Sequence, residues 1–266
     1  MHAGSPDAGV VLWHVLGPMS EKRQGRSSLS RSGSSIEGEE DSSSSSSSLR
    51  SAPPTTLPVL DLGNGVSELI VMTMQAMLNT GDEVLIPAPD YPLWTAAVTL
   101  SSGKPVHYRC DEQQDWFPDI DDIRKKITRR TRAIVLINPN NPTGTAVHVD
   151  DLRRLVERVP DDVLVVVDEA YADFSDQDFT RRVGDFDNLI VLRTFSKAHG
   201  LAGIRIGYAV GSPDLIEKLY RVKAAFEVGD VHESIALEAL EDESYLRHAV
   251  STIRSERKRV GAALEK

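Results

Sequence analysis

Cysteine is nearly absent. The one thiol, Cys110, leaves no partner for an intrachain disulfide, which suits a reducing compartment and makes the cytoplasm the expected location. Long hydrophobic runs are absent too. No stretch nears the roughly 20 apolar residues that span a bilayer, and the run at 10–15 is broken by His14. The first nine residues hold no Lys or Arg, so the basic opening of an export signal is lacking. An excess of positive charge is missing as well. A formal net charge of -10 and a pI near 5.2 argue against a general nucleic-acid binder, which needs a basic face. They leave room for an anionic cofactor, because one or two local cations can hold a phosphate. Apolar residues are sparse through residue 57. There the serine run 42–48 follows Glu37, Glu39, Glu40 and Asp41, and the composition predicts a disordered tail that buries too little surface to offset its ordering entropy.

From Leu57 the texture changes. The 266 residues, 40% of them hydrophobic, suffice for one good-sized core or two small ones. Apolar runs alternate with amphipathic stretches. The pattern predicts helices over 66–78, 93–100, 120–127, 149–159 and 213–226, and continuous helix from 232 to the end. It predicts strands over 83–86, 106–109, 133–137, 163–167, 189–193 and 204–210. Pro213 at a first helical turn fits its missing N–H. The run Val163-Leu164-Val165-Val166-Val167 reads as a strand buried on both faces. Strands alternating with helices indicate an α/β fold with a largely parallel sheet covered on both sides.

In such sheets ligands bind beyond the carboxyl ends of the strands. Asn138-Pro139-Asn140-Asn141-Pro142-Thr143-Gly144 follows one run, Asp168-Glu169-Ala170-Tyr171 another, and Arg193-Thr194-Phe195-Ser196-Lys197 a third. Parallel neighbouring strands would bring all three to one crevice. Gly63-Asn64-Gly65-Val66-Ser67 opens a helix, whose N-terminal N–H groups and dipole favour a phosphate. Each piece alone is ordinary turn, cap or surface chemistry; their order and joint occurrence carry the signal. An ATPase reading of 163–169 would need a G-x-x-x-x-G-K-[ST] loop, whereas Gly103-Lys104 is followed by Pro105.

On Asn141-Pro142-Thr143-Gly144, Asp168-Glu169-Ala170-Tyr171, and Ser196-Lys197 with Arg205, residues 58–266 resemble the class I/II aminotransferases, fold-type I enzymes that use pyridoxal 5′-phosphate. The resemblance implies a mostly parallel seven-stranded sheet in a cofactor-binding large domain over 58–229. It also implies a helical segment over 230–266 leading toward a small domain. Lys197 resembles the lysine that anchors the cofactor as a Schiff base and moves the Cα proton, work suited to an amine that sheds its proton readily when buried. Asp168 resembles the carboxylate that keeps the pyridine nitrogen protonated. Asn141 and Tyr171 resemble the pair that bonds the ring hydroxyl oxygen, and Tyr91 the aromatic on the ring face. Arg205 resembles the phosphate clamp, completed by the Thr194 and Ser196 hydroxyls and the N–H groups of Val66 and Ser67.

The two halves resemble different members. Residues 61–145 are similar to bacterial glutamate–pyruvate (alanine) aminotransferases. Residues 160–266, through Leu192-Arg193-Thr194-Phe195-Ser196-Lys197-Ala198 and Leu201-Ala202-Gly203-Ile204-Arg205-Ile206-Gly207-Tyr208, are similar to histidinol-phosphate aminotransferase. The expected reaction is therefore histidinol-phosphate transamination with 2-oxoglutarate. The alternatives are alanine or glutamate–pyruvate transamination, an amino-acid-phosphate decarboxylation, and cofactor binding without turnover. His199 stands where the histidinol-phosphate family has Phe, read as a packing change, and 226–230 lacks that family's asparagine-bearing segment. The resemblance further implies a homodimer, a partner-donated tyrosine from an N-terminal segment without counterpart in 1–57, and a substrate-binding arginine in a small domain beyond Lys266.

Overall fold

The computed structural model describes residues 58–265; the tail predicted over 1–57 lies outside the described residues. Eight strands form one sheet: β1 (Val59–Gly63), β2 (Glu83–Ala88), β3 (Lys104–Asp111), β4 (Phe117–Pro118), β5 (Thr131–Ile137), β6 (Leu164–Asp168), β7 (Leu189–Thr194) and β8 (Gly207–Gly211). Their order is β1-β8-β7-β6-β5-β2-β3-β4. The five central strands from β3 to β7 run parallel, while β8 is antiparallel to β7, β1 to β8, and β4 to β3. The expected count of seven is therefore one short: β4 adds a two-residue strand at the β3 edge.

The helices are α1 (Val66–Met77), α2 (Leu93–Leu100), α3 (Ile120–Lys126), α4 (Val149–Val156), α5 (Pro213–Val222), α6 (Asp230–Glu241) and α7 (Glu243–Leu264). Buried residues of α1, α2 and α5 pack with Val84, Val135, Val166, Ile190 and Ala209 in one core. Every residue of β6, β7 and β8 is buried, which is why these strands read as apolar runs without alternation. Among the described residues, no helix is long and apolar enough to cross a membrane.

Several sequence boundaries move, three of them most consequentially. The strand expected from 204 starts at Gly207, because Arg205 adopts a left-handed backbone with φ 56° and cannot extend the ladder. The single helix expected from 232 onward is two helices. Between them Asp242 leaves the helical region and its carboxylate accepts from Tyr245 N at 3.0 Å, capping α7. Finally, α5 stops at Val222 rather than near 226, where Lys223 turns extended.

Candidate active site

Strands β5, β6 and β7 are adjacent and parallel, so their carboxyl ends open on the same crevice. Asn138 leaves β5 with its N–H bonded to Asp168 O at 2.9 Å. Its side chain grips Val147 in both directions, donating to O at 3.0 Å and accepting from N at 2.7 Å. Asn140 Oδ1 accepts from Thr143 N and Oγ1 at 3.1 and 2.9 Å. These buried amides fix the loop from which Asn141 projects.

The pocket at this crevice has a volume of about 210 Å³. All ten residues singled out in the sequence line it: Val66 and Ser67 from the start of α1, Tyr91 from the turn before α2, and Asn141 after β5. Asp168 closes β6 and Tyr171 follows it, Thr194 closes β7 with Ser196 and Lys197 in the next turn, and Arg205 precedes β8. Ile137 and Ala170, which the sequence did not single out, complete the wall. A larger groove of about 570 Å³ lies between α3 and α4. Its Arg124 and Arg154 are paired with Asp121 and Asp151, and none of the ten residues reaches it, so size alone does not mark the site.

Lys197 Nζ lies over the Tyr171 ring, 5.1 Å from its centroid, a cation–π contact. Asp168 is buried, and burial raises its carboxyl pKa. The Ala170 N–H, the Trp94 indole and the Lys197 charge oppose that rise. Ala170 N donates to Oδ1 at 3.1 Å, and Trp94 Nε1 to Oδ2 at 3.0 Å. Trp94 is fully buried in α2. Its link to Asp168 spans 74 positions and had no signal in the sequence.

The part of the pocket at the start of α1 and Arg205 depends on close main-chain approach. Gly65 has φ 79°, and a Cβ there would stand 2.6 Å from Arg205 Nη2. A Cβ on Gly207 would stand 2.8 Å from Val66 N and 2.9 Å from Arg193 O. The two glycines thus let the Arg205 guanidinium and the first N–H groups of α1 share one small space. Arg205 Nη1 donates to Ala202 O at 3.1 Å, and Ser196 N to Thr194 Oγ1 at 3.1 Å. A cation, helix-start N–H groups and two hydroxyls form a donor set suited to an anion. Asp168 is the one carboxylate among the residues lining the pocket, and it is buried. His199 is not part of this wall; its ring packs on Phe195 with centroids 5.0 Å apart, as a packing change would.

An α/β sheet of this order, with a lysine, an aspartate and an anion cradle at its carboxyl edge, defines a fold-type I aminotransferase large domain. Residues 60–266 match the model of "Aminotransferase class I and II", and the chain belongs to that family. It is 51% identical over 166 residues to the glutamate-pyruvate aminotransferase AlaA of Escherichia coli strain K12, covering 60% of this chain and 41% of that one. It is 37% identical over 191 residues to the histidinol-phosphate aminotransferase of Caldicellulosiruptor saccharolyticus, covering 70% and 52%. The solved histidinol-phosphate aminotransferase of Sinorhizobium meliloti, in complex with pyridoxal-5′-phosphate, superposes with a TM-score of 0.72. That match has 26% identity and covers 76% of this chain and 55% of that one. Both kinds of relative expected from the two halves are thus found, and the chain spans about half or less of each relative's length.

Proposed function

We propose that this chain carries the cofactor site of a pyridoxal-phosphate-dependent aminotransferase. The observation that supports it is that the ten residues the resemblance implies all line one pocket, which combines a cation, helix-start N–H groups and two hydroxyls with the buried Asp168 carboxylate. The fit is chemical. Val66 N, Ser67 N, Thr194, Ser196 and Arg205 would hold the phosphate, and Tyr91 would cover the ring. Asn141 and Tyr171 would bond the ring hydroxyl oxygen, and Asp168 would face the ring nitrogen. When bound, the cofactor supplies an electron sink for the charge left on a substrate Cα that loses its proton. Lys197 Nζ would anchor the cofactor and, in its free amine form, would move that proton, and the Asp168 carboxylate would keep a proton on the nitrogen it faces. In this reading 58–229 form the cofactor domain and 230–266 lead toward a second domain. The working unit is a cytoplasmic homodimer.

The higher identity to the glutamate-pyruvate enzyme favours glutamate with pyruvate as the reacting pair. Histidinol phosphate with 2-oxoglutarate is the second reading, favoured by the longer aligned stretch to that family. The test is a spectroscopic titration with pyridoxal phosphate, dialysis, and then offer of each substrate pair. Wild type should keep the cofactor's visible band and Lys197→Ala should lose it; a band that survives dialysis in the variant sinks the anchor assignment. Alanine formed from glutamate and pyruvate ahead of turnover of histidinol phosphate supports the first pair, and the reverse order supports the second.

A further inference from the structure

Behind the pocket lies a buried ionic cluster, four of whose members stand one or two positions from a pocket residue; the fifth, Asp178, comes from a separate loop. Arg193 precedes Thr194, Glu169 follows Asp168, Asp173 comes two after Tyr171, and His199 two after Lys197. Strand alternation accounts for two of these pairings: where Asp168 and Thr194 at the ends of β6 and β7 face the pocket, Glu169 and Arg193 face the reverse side, while Asp173 and His199 come from turns. Arg193 Nε lies 3.0 Å from Glu169 Oε2, Nη1 donates to Asp173 Oδ1 at 3.0 Å, and Nη2 to Asp178 Oδ1 at 2.9 Å. Phe179 N closes the loop by donating to Glu169 Oε1 at 2.8 Å. His199 Nδ1 stands 4.0 Å from Asp173 Oδ2 at the cluster's edge.

Stability alone does not account for this arrangement. Desolvating a guanidinium and its carboxylates is expensive, and well-packed apolar side chains of similar volume are often as stable or more so. What apolar packing lacks is direction. A planar fork with fixed donor angles sets the orientation of every carboxylate it binds. Here those carboxylates belong to three segments: the end of β6, the turn of 171–174, and the loop before the 180–185 turn.

We infer that Arg193 is a positioning residue for the pocket: from the reverse side of the sheet its guanidinium locks the peptide units that aim Asp168, Tyr171, Thr194 and Lys197. It touches nothing inside the cavity. The inference rests on the proposed cofactor site only for its second readout. The first is amide hydrogen exchange on the cofactor-free chain, so a failure of the cofactor reading cannot be mistaken for a failure of this one.

The test compares wild type, Arg193→Lys and the double variant Arg193→Met with Glu169→Gln. The double variant removes the fully buried Glu169 charge together with that of Arg193 and keeps an acceptor for Phe179 N; Asp173 and Asp178 are partly exposed, and Asp178 keeps Thr180 and Arg181, so the double variant is expected to fold where a single variant does not. Exchange in 168–173 and 194–200 should accelerate by about tenfold or more in both, against unchanged exchange in β2; tenfold corresponds to roughly 1.4 kcal/mol of local opening. Pyridoxal phosphate affinity should fall by a similar factor. In the double variant the melting temperature should recover while both signatures persist. A double variant that melts like wild type and regains wild-type exchange and affinity would show that Arg193 only balances charge, and would overturn the inference. So would Arg193→Lys with wild-type exchange in both segments.

Discussion

Replacing Trp94 with phenylalanine tests whether the indole holds Asp168 or only fills space. Trp94 is fully buried, and its N–H is one of two donors within hydrogen-bond distance of the Asp168 carboxylate. Losing a hydrogen bond to a charged group costs about 1.5 to 3 kcal/mol. Shrinking the indole to a phenyl ring leaves a void on the order of 30 Å³, worth roughly 0.7 kcal/mol at about 24 cal/mol per Å³. The expected loss is therefore about 2 to 4 kcal/mol, out of the roughly 5 to 15 kcal/mol of an ordinary domain, and the variant should remain folded. The assay is urea unfolding, read as a lower midpoint at unchanged slope. Asp168→Asn alone and combined with the first change completes a double-mutant cycle. A coupling energy above about 1 kcal/mol is expected for groups in direct contact. A loss below about 1 kcal/mol together with coupling below about 0.3 kcal/mol, the level of non-interacting sites, would refute the claim that the indole holds the carboxylate.

Gly207→Ala would drive a methyl group against Val66 N and Arg193 O, both main chain and unable to swing aside. Calorimetry should show a loss of about 1 to 3 kcal/mol, and cofactor affinity should fall with it. Stability should also vary with pH in two opposite limbs, checked by denaturant midpoints across pH. Burial, opposed by Arg193, pushes Glu169 up to about 7 from 4.5. Its contribution is thus fully present below pH 4.5 and is lost as pH rises to about 7, a change on the order of 3 kcal/mol that Glu169→Gln should flatten. Glu83 behaves in reverse. Hydrogen bonds from Thr128 and Arg130 hold it down to about 2, so its contribution is present above pH 4.5 and is lost as pH falls toward 2.

The central strands were legible because they are short, apolar and β-branched; Asn141, Asp168, Tyr171, Thr194, Ser196 and Lys197 because each ends or follows such a run, Val66 and Ser67 through the glycine-rich loop that opens a helix, and Tyr91 and Arg205 only through the family resemblance. The edge of the sheet was not. Strand β1 carries Asp61, fully buried and held by Lys223 Nζ at 2.6 Å from 162 positions away, and no local pattern signals a charge whose partner is that remote. The two-residue β4 is too short to show a period. Arg205 was legible as a residue but not in its left-handed backbone, nor in the place of its guanidinium, which occupies the space that a side chain at Gly65 would fill. Trp94 and Arg193 share this character: their meaning lies in contacts made 74 positions off and across three segments respectively. The sequence likewise shows two kinds of relative without deciding between their substrates.

The anion end of the pocket rests heavily on peptide groups that carry no genetic identity. Substituting Val66 or Ser67 by any residue but proline leaves the N–H in place. Drift at those positions can alter bulk while the donors persist, whereas a methyl group at Gly65 or Gly207 collides with a neighbour. The lineage of this chain is thereby constrained at two glycines rather than at the residues whose N–H groups line the cavity. In the proposed site, change at Val66 and Ser67 would leave the donors to the phosphate in place.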